Sequence, residues 1–160
     1  MPLNQLLSAD RITILVEPGD REDVLDTAAR LLADDIPGSG VSPLLGAIAD
    51  SLRAREKLAS TAIGHGVAIP HARLPMIEES RGAFLRLSKP IDFNAADGQP
   101  VDLILAMVVP EHYVHKHLQQ LAELAERFGS ATFRERLREA RSITELSGLL
   151  LSPETRRSAA

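Results

Sequence analysis

A chain of 160 residues with 44% hydrophobic content can bury one ordinary core and is too short for two comfortable domains. It has no cysteine, which excludes disulfides and thiolate metal sites and points to the cytoplasm, and its formal net charge of −4 argues against a nucleic-acid partner, which would need a surplus of Lys and Arg for phosphates. The opening MPLNQLLSADRITILVEPGD lacks the pattern of a secretory signal, and no apolar run approaches the roughly 20 residues that span a bilayer, so no membrane insertion is expected.

The first predicted element is RITILV, Arg11 to Val16, whose β-branched residues end at EPGD and read as a short buried strand followed by a turn. Asp20 then caps a helix in which Val24, Leu25, Ala28, Leu31 and Leu32 recur at helical spacing until DDIPGSG breaks the pattern. Ser42 as N-cap and Pro43 at the first helical position open a second helix, with Leu45, Ile48, Ala49 and Leu52 on one face running toward Arg55. The stretch ASTAIGHGVAIPHARLPMIEES has no helical period, so a loop around a short extended piece at Val67 to Ile69 is predicted.

GAFLRLSKPI places Ala83, Leu85 and Leu87 on one side of an alternating strand, and VDLILAMVVP, nearly all apolar from Leu103 to Val109, reads as a central strand buried on both faces. Three helices follow: one with Leu118, Leu121, Ala122 and Ala125 as its apolar face, one with Phe133, Leu137 and Ala140, and one opened by Ser142 and Glu145 at capping-box spacing. The helix segment RERLREAR, Arg134 to Arg141, reads as a solvated face of i,i+4 charge pairs. The expected fold is α/β, a three-layer α/β/α sandwich with a central mixed sheet in the order β-α-α-β-β-β-α-α-α. It forms a single domain over residues 1–152, with 153–160 as a polar tail.

Five histidines make up the chemical inventory: His65, His71, His112, His115 and His117. Pro70 disfavours the helical region for Ile69, so the approach to His71 is extended and the imidazole is presented from a strand end, where functional side chains collect. A histidine after a proline is, taken alone, most often an ordinary loop residue.

The wider context changes that reading. REKLASTAIGHGVAIPHARL, followed by AADGQPVDLILAMVVP and HKHLQQLAELAERF, resembles the IIA domains of the bacterial phosphotransferase system, of the fructose, mannitol and nitrogen-regulatory class. The resemblance covers Leu6 to Leu150, is most specific from Arg55 to Leu74, and is greatest to the nitrogen-regulatory branch, whose domains stand alone at this length. It implies that His71 is phosphorylated by the phosphohistidine of an HPr-like phosphocarrier, with no cofactor. It implies, too, that the downstream partner is either a regulated target, such as a transporter or a sensor kinase, or a sugar-type EIIB domain.

The chemistry of the residues is consistent with this. An imidazole with an ordinary pKa near 6.5 keeps a neutral, nucleophilic fraction at pH 7, and its phosphorylated form gives the group away again. The loose transition state of phosphoryl transfer asks for alignment and positive donors. The resemblance places Arg55 near the phosphate, makes His117 the second active-site histidine, and matches Ser60 and Thr61 to a Ser-Thr pair that bonds the phosphate or caps the loop. Arg73 and Lys57 are weaker positive candidates. Which ring nitrogen reacts depends on what the other one donates to, with a backbone carbonyl as the expected acceptor.

Three alanines, Ala59, Ala62 and Ala72, stand where relatives commonly have glycine, which puts the loop conformation in question because alanine disfavours positive φ. His65 is expected to face solvent. A metal site built from His112, His115 and His117, with His65 and His71 completing the ligand set, is the rival reading, but on a helix the side chains of 115 and 117 point roughly 200° apart, and the spacing matches no metal motif.

Overall fold

The computed structural model describes residues 2–34, 42–112 and 114–153, with the side chains of Ser42 and Pro43 outside the description. The cap expected from Ser42 and the breaker residues 35–40 therefore lie outside the described residues, and of the polar tail only Pro153 lies within them. A short helix α1 (Leu3–Leu6) and a 3-10 turn (Ala9–Arg11) precede strand β1 (Ile12–Leu15). Helix α2 (Arg21–Ala33) starts on Asp20, whose Oδ1 accepts the Asp23 N–H at 2.9 Å while Asp23 Oδ2 accepts the Asp20 N–H at 3.1 Å. This reciprocal pair satisfies two of the first-turn donors that a helix leaves unpaired. Helix α3 (Ser42–Leu58) follows.

The region expected to be loop instead holds three short strands, β2 (Ala62–Gly64), β3 (Val67–Ala68) and β4 (His71–Leu74), before β5 (Arg81–Ile91) and β6 (Val101–Pro110). Strands of two to four residues broken by Gly and Pro are too short for side-chain alternation to reveal. The six strands form one mixed sheet in the order β1-β5-β6-β3-β2, with β4 also on β6. β1 lies parallel to β5, β5 antiparallel to β6, and β3 and β4 parallel to β6.

β3 and β4 are one extended line interrupted at Ile69 and Pro70. Val67 lies opposite Leu103 and His71 opposite Met107, so the register is the same on both sides of the break. Pro70 has no N–H to donate, but its carbonyl still accepts from Met107 N at 2.9 Å. His71 is thus the first residue of β4, at a strand end as the sequence suggests, and lies beside the central strand.

Alternation along β6 sorts the core into two halves. Ile104, Ala106 and Val108 pack with α2 and α3 residues such as Leu25, Leu32 and Leu52. Leu103, Leu105, Met107 and Val109 pack on the opposite side with α1 and the three closing helices, α4 (Val114–Phe128), α5 (Ala131–Glu139) and α6 (Ile143–Leu151). Helices on both faces of a mixed sheet make the expected three-layer arrangement. Among the described residues no helix is long and apolar enough to cross a membrane.

Two sequence expectations about the closing helices change. The inward side of α4 consists of His117, Gln120, Leu124 and Phe128, whereas Leu118 is 59% exposed. The predicted stripe of Leu118, Leu121, Ala122 and Ala125 is a second apolar column one step around the helix, and its last three residues line a groove. RERLREAR is not simply a solvated face either. Arg134 is only 8% exposed and its Nη1 donates to the Phe128 carbonyl at 2.9 Å, where it caps the end of α4. Arg138 grips Asp102 through Nε and Nη2. At the start of α6, Ser142 Oγ accepts the Glu145 N–H at 3.1 Å, as its spacing predicts.

Candidate functional site

The line β3–β4 carries Ile69, His71 and Arg73 toward the α4 side of the sheet, because Ile69 belongs to the core half built with α4 while Ala68, Ala72 and Leu74 belong to the other. A groove of about 350 Å³ lies there, with Arg55, Ser60, Thr61 and His71 on one wall and Leu121 and Ala125 of α4 on the other.

His71 is half-buried, and its Nδ1 lies 2.7 Å from the Ile69 carbonyl oxygen. A carbonyl only accepts, so Nδ1 carries the proton and Nε2 keeps its lone pair. The sequence leaves this tautomer open; the backbone geometry selects it. Burial holds the His71 pKa below the usual histidine value, the Ile69 bond works in the opposite direction, and Arg55 and Arg73 lower it further. A pKa held below the usual histidine value favours the neutral imidazole at pH 7, the form that a nucleophilic role would require.

His117 stands beside it. The two ring centroids are 5.1 Å apart at an interplanar angle of 56°. His117 is 6% exposed, and its Nδ1 has no hydrogen-bond partner among the described residues. Burial first, then His71, Arg73 and Arg55, push its pKa down to about 4. A neutral imidazole in the first turn of α4 can donate one N–H without bringing a charge that would compete with the arginines.

Arg55 lies in the last turn of α3, where its Nη1 donates to the Ala59 carbonyl at 2.8 Å. That bond closes the helix end and leaves the rest of the guanidinium fork for the groove. Arg73 is exposed on β4 and acts on both histidines by charge, and Lys57 is exposed. Ser60 and Thr61 border the groove, but their hydroxyl protons turn into the protein: Ser60 Oγ donates to the Phe93 carbonyl at 2.5 Å and Thr61 Oγ1 to Glu56 Oε1 at 2.6 Å. Both hydroxyls hold the chain entering β2 in place. Glu56, which sequence reasoning did not single out, is the buried acceptor of that second bond; its only sequence signal is a carboxylate five residues before a threonine.

His65 is exposed and takes a left-handed conformation, φ 58°, in the two-residue turn between β2 and β3, followed by Gly66 at φ 78°. Two successive positive φ values are what a type I′ hairpin turn requires. The turn is clamped from outside: the His65 N–H donates to Asp97 Oδ2 at 3.1 Å, and Arg138 Nη2 donates to the His65 carbonyl at 2.6 Å. Ala59, Ala62 and Ala72 all keep negative φ, so the departures from glycine carry no backbone strain. His112 and His115 are exposed, and among the described residues no group of three or more His, Cys, Asp or Glu is arranged to hold a metal ion.

Comparison with known proteins agrees in extent with this architecture. The family described as "Phosphoenolpyruvate-dependent sugar phosphotransferase system, EIIA 2" matches residues 5–152. The chain is 40% identical over 138 residues to a nitrogen regulatory protein of Pseudomonas aeruginosa, covering 86% of this chain and 87% of that one. It is 35% identical over 153 residues to a nitrogen regulatory protein of Bradyrhizobium diazoefficiens, covering 96% and 97%. Among solved structures, nitrogen regulatory protein IIA-Ntr from Neisseria meningitidis superposes with a TM-score of 0.82 at 36% identity, over 92% of this chain and 98% of that chain.

Proposed function

The chain belongs to the EIIA type 2 family of the phosphoenolpyruvate-dependent sugar phosphotransferase system, and from that premise we propose that it carries its phosphoryl group on Nε2 of His71, received from an HPr-like phosphohistidine donor, in a regulatory circuit. The observation that carries this reading is the bond from His71 Nδ1 to the Ile69 carbonyl, which leaves Nε2 as the free nucleophile in a groove open to solvent. In the transfer the N–P bond of the donor breaks, its electron pair returns to the donor ring, and a new bond forms from His71 Nε2 to phosphorus. The proton on Nδ1 stays in place, so the phosphorylated ring gains positive charge, and the carbonyl of Ile69 faces that charge.

Arg55 and Arg73 supply the positive field for the equatorial phosphoryl oxygens, and His117 donates a neutral N–H to one of them. Apolar residues border the groove, the exposed Ile63 on β2 and the half-buried Leu121 on α4; they suit the docking of a protein donor. The whole-length likeness to nitrogen regulatory proteins favours phosphorylation-dependent binding of a target, such as a transporter or a sensor kinase, over delivery of the group to a sugar-type EIIB.

Incubation with a carrier bearing labelled phosphohistidine tests the assignment. Wild type is expected to take up acid-labile phosphate and His71→Ala none; an alanine variant that labels like wild type overturns it. Rapid passage of the label to a fructose-type EIIB domain overturns the regulatory reading.

A further inference from the structure

Glu56 follows Arg55 on the last turn of α3 and is 3% exposed. A buried carboxylate is costly unless its oxygens are satisfied, and an apolar side chain of similar size would be cheaper there. Both oxygens are satisfied by one residue: Oε2 accepts the Thr61 N–H at 2.8 Å and Oε1 the Thr61 hydroxyl at 2.6 Å. The Thr61 carbonyl accepts the Ile69 N–H at 3.0 Å, at the point where Pro70 interrupts the strand line. The Ile69 carbonyl in turn accepts His71 Nδ1–H at 2.7 Å. A continuous run of hydrogen bonds thus joins the end of α3 to the imidazole through Thr61 and Ile69, both buried.

We infer that Glu56 is a positioning residue for phosphoryl transfer, one that holds Thr61 and thereby Ile69 so that the His71 ring keeps the orientation and tautomer that leave Nε2 free. The inference rests on His71 being the acceptor. Ile69 cannot be held by regular pairing alone, since the sheet line breaks beside it, and its carbonyl must stay aimed at Nδ1–H both before transfer and while the ring is positively charged. A carboxylate suits the task because two acceptors on one rigid plane seize two donors of Thr61 together. Glutamine fills the same space, and its amide can accept from the Thr61 N–H and donate to the hydroxyl oxygen, so it preserves the grip without the charge. Methionine fills the space and preserves nothing.

The test follows the His71 tautomer by 15N–1H correlation spectroscopy on the unphosphorylated full chain, together with the rate of labelling by a phosphorylated HPr-like carrier. Wild type is expected to show the Nδ1–H tautomer. Glu56→Met shifts it to a mixture and slows labelling by about tenfold or more, and Glu56→Gln restores both. A Glu56→Met protein that keeps the wild-type tautomer overturns the inference, whether its labelling is fast or slow, since a slow rate with an unchanged ring is only a structural effect. Should that variant not fold, Thr61→Val, which removes the shorter bond, carries the same readout: a smaller tautomer shift of the same sign supports the inference and an unchanged tautomer overturns it. Failure of wild type to label at His71 instead sinks the acceptor assignment, and the tautomer comparison separates the two.

Discussion

The two faces of the sheet are built by the same alternation of side chains but hold different contents. On the α2/α3 face the cluster around Leu25, Leu32, Leu52, Leu85 and Ile104 is apolar, and the buried carboxylate at the end of α3, Glu56, has both oxygens held by Thr61. The opposite face surrounds Leu103, Leu105 and Phe128 with apolar groups as well, yet the helices covering it also bury His117, Gln120, Arg134 and Ser147. Two of the polar atoms there, His117 Nδ1 and Ser147 Oγ, have no partner among the described residues. An apolar cluster needs nothing beyond shape. A buried polar atom without a partner costs stability, and at His117 that cost falls beside His71. The first face stabilises the sheet, and the second uses some of that stability to hold two imidazole rings side by side.

The largest effect expected from separating the two faces is on the apolar one. Leu32→Ala, fully buried in α2, should cost about 2 to 5 kcal/mol in denaturant unfolding, while the folded fraction labels at the wild-type rate. A labelling defect in the folded fraction would mean that the faces are coupled. Next comes the pH dependence of His117. Its folded pKa of about 4 lies below the ordinary 6.5, so the unfolded chain binds the proton first, and the associated stability is present above pH 6.5 and lost as pH falls toward 4. The loss is on the order of 3 kcal/mol, and His117→Gln should remove it. Urea unfolding of both proteins at several pH values checks this, and parallel curves from pH 7 to 4 would show that His117 is not held neutral.

The smallest effect belongs to the turn that braces β3 from outside. Gly66 has φ +78°, and a Cβ there would lie 2.5 Å from Arg138 Nη2. Gly66→Ala should cost about 1 to 3 kcal/mol and loosen the Arg138 clamp. An unchanged midpoint in thermal unfolding would show that the clamp contributes nothing.

Long periodic segments are legible in the chain. The apolar spacing of α2 and α3, the Asp20 cap, the alternation that sends Leu85 and Leu87 to one side, and the continuous apolar run of β6 each appear where local patterning puts them. His71, Arg55 and Thr61 were legible as members of one motif, and the fold does bring them to one groove. The inward face of α4 was not legible, because two adjacent apolar columns run along that helix and only its seating on the sheet decides between them. Arg134 and Arg138 look like solvated charges because nothing local reveals that the Phe128 carbonyl and Asp102 lie within their reach.

By itself the sequence determined the long elements and the layer order, since those depend on residue type and spacing within a few turns or strands, and its resemblance to the IIA domains singled out His71 and Arg55 as candidates. Tertiary structure decided which nitrogen of His71 is free, why a glutamate lies buried behind it, and that Ala59, Ala62 and Ala72 fit without strain. Each of these depends on a carbonyl, a hydroxyl or a φ angle set by chain segments that meet only when the sheet is assembled, and hydrogen bonds of about 3 Å register that meeting where side-chain patterns do not.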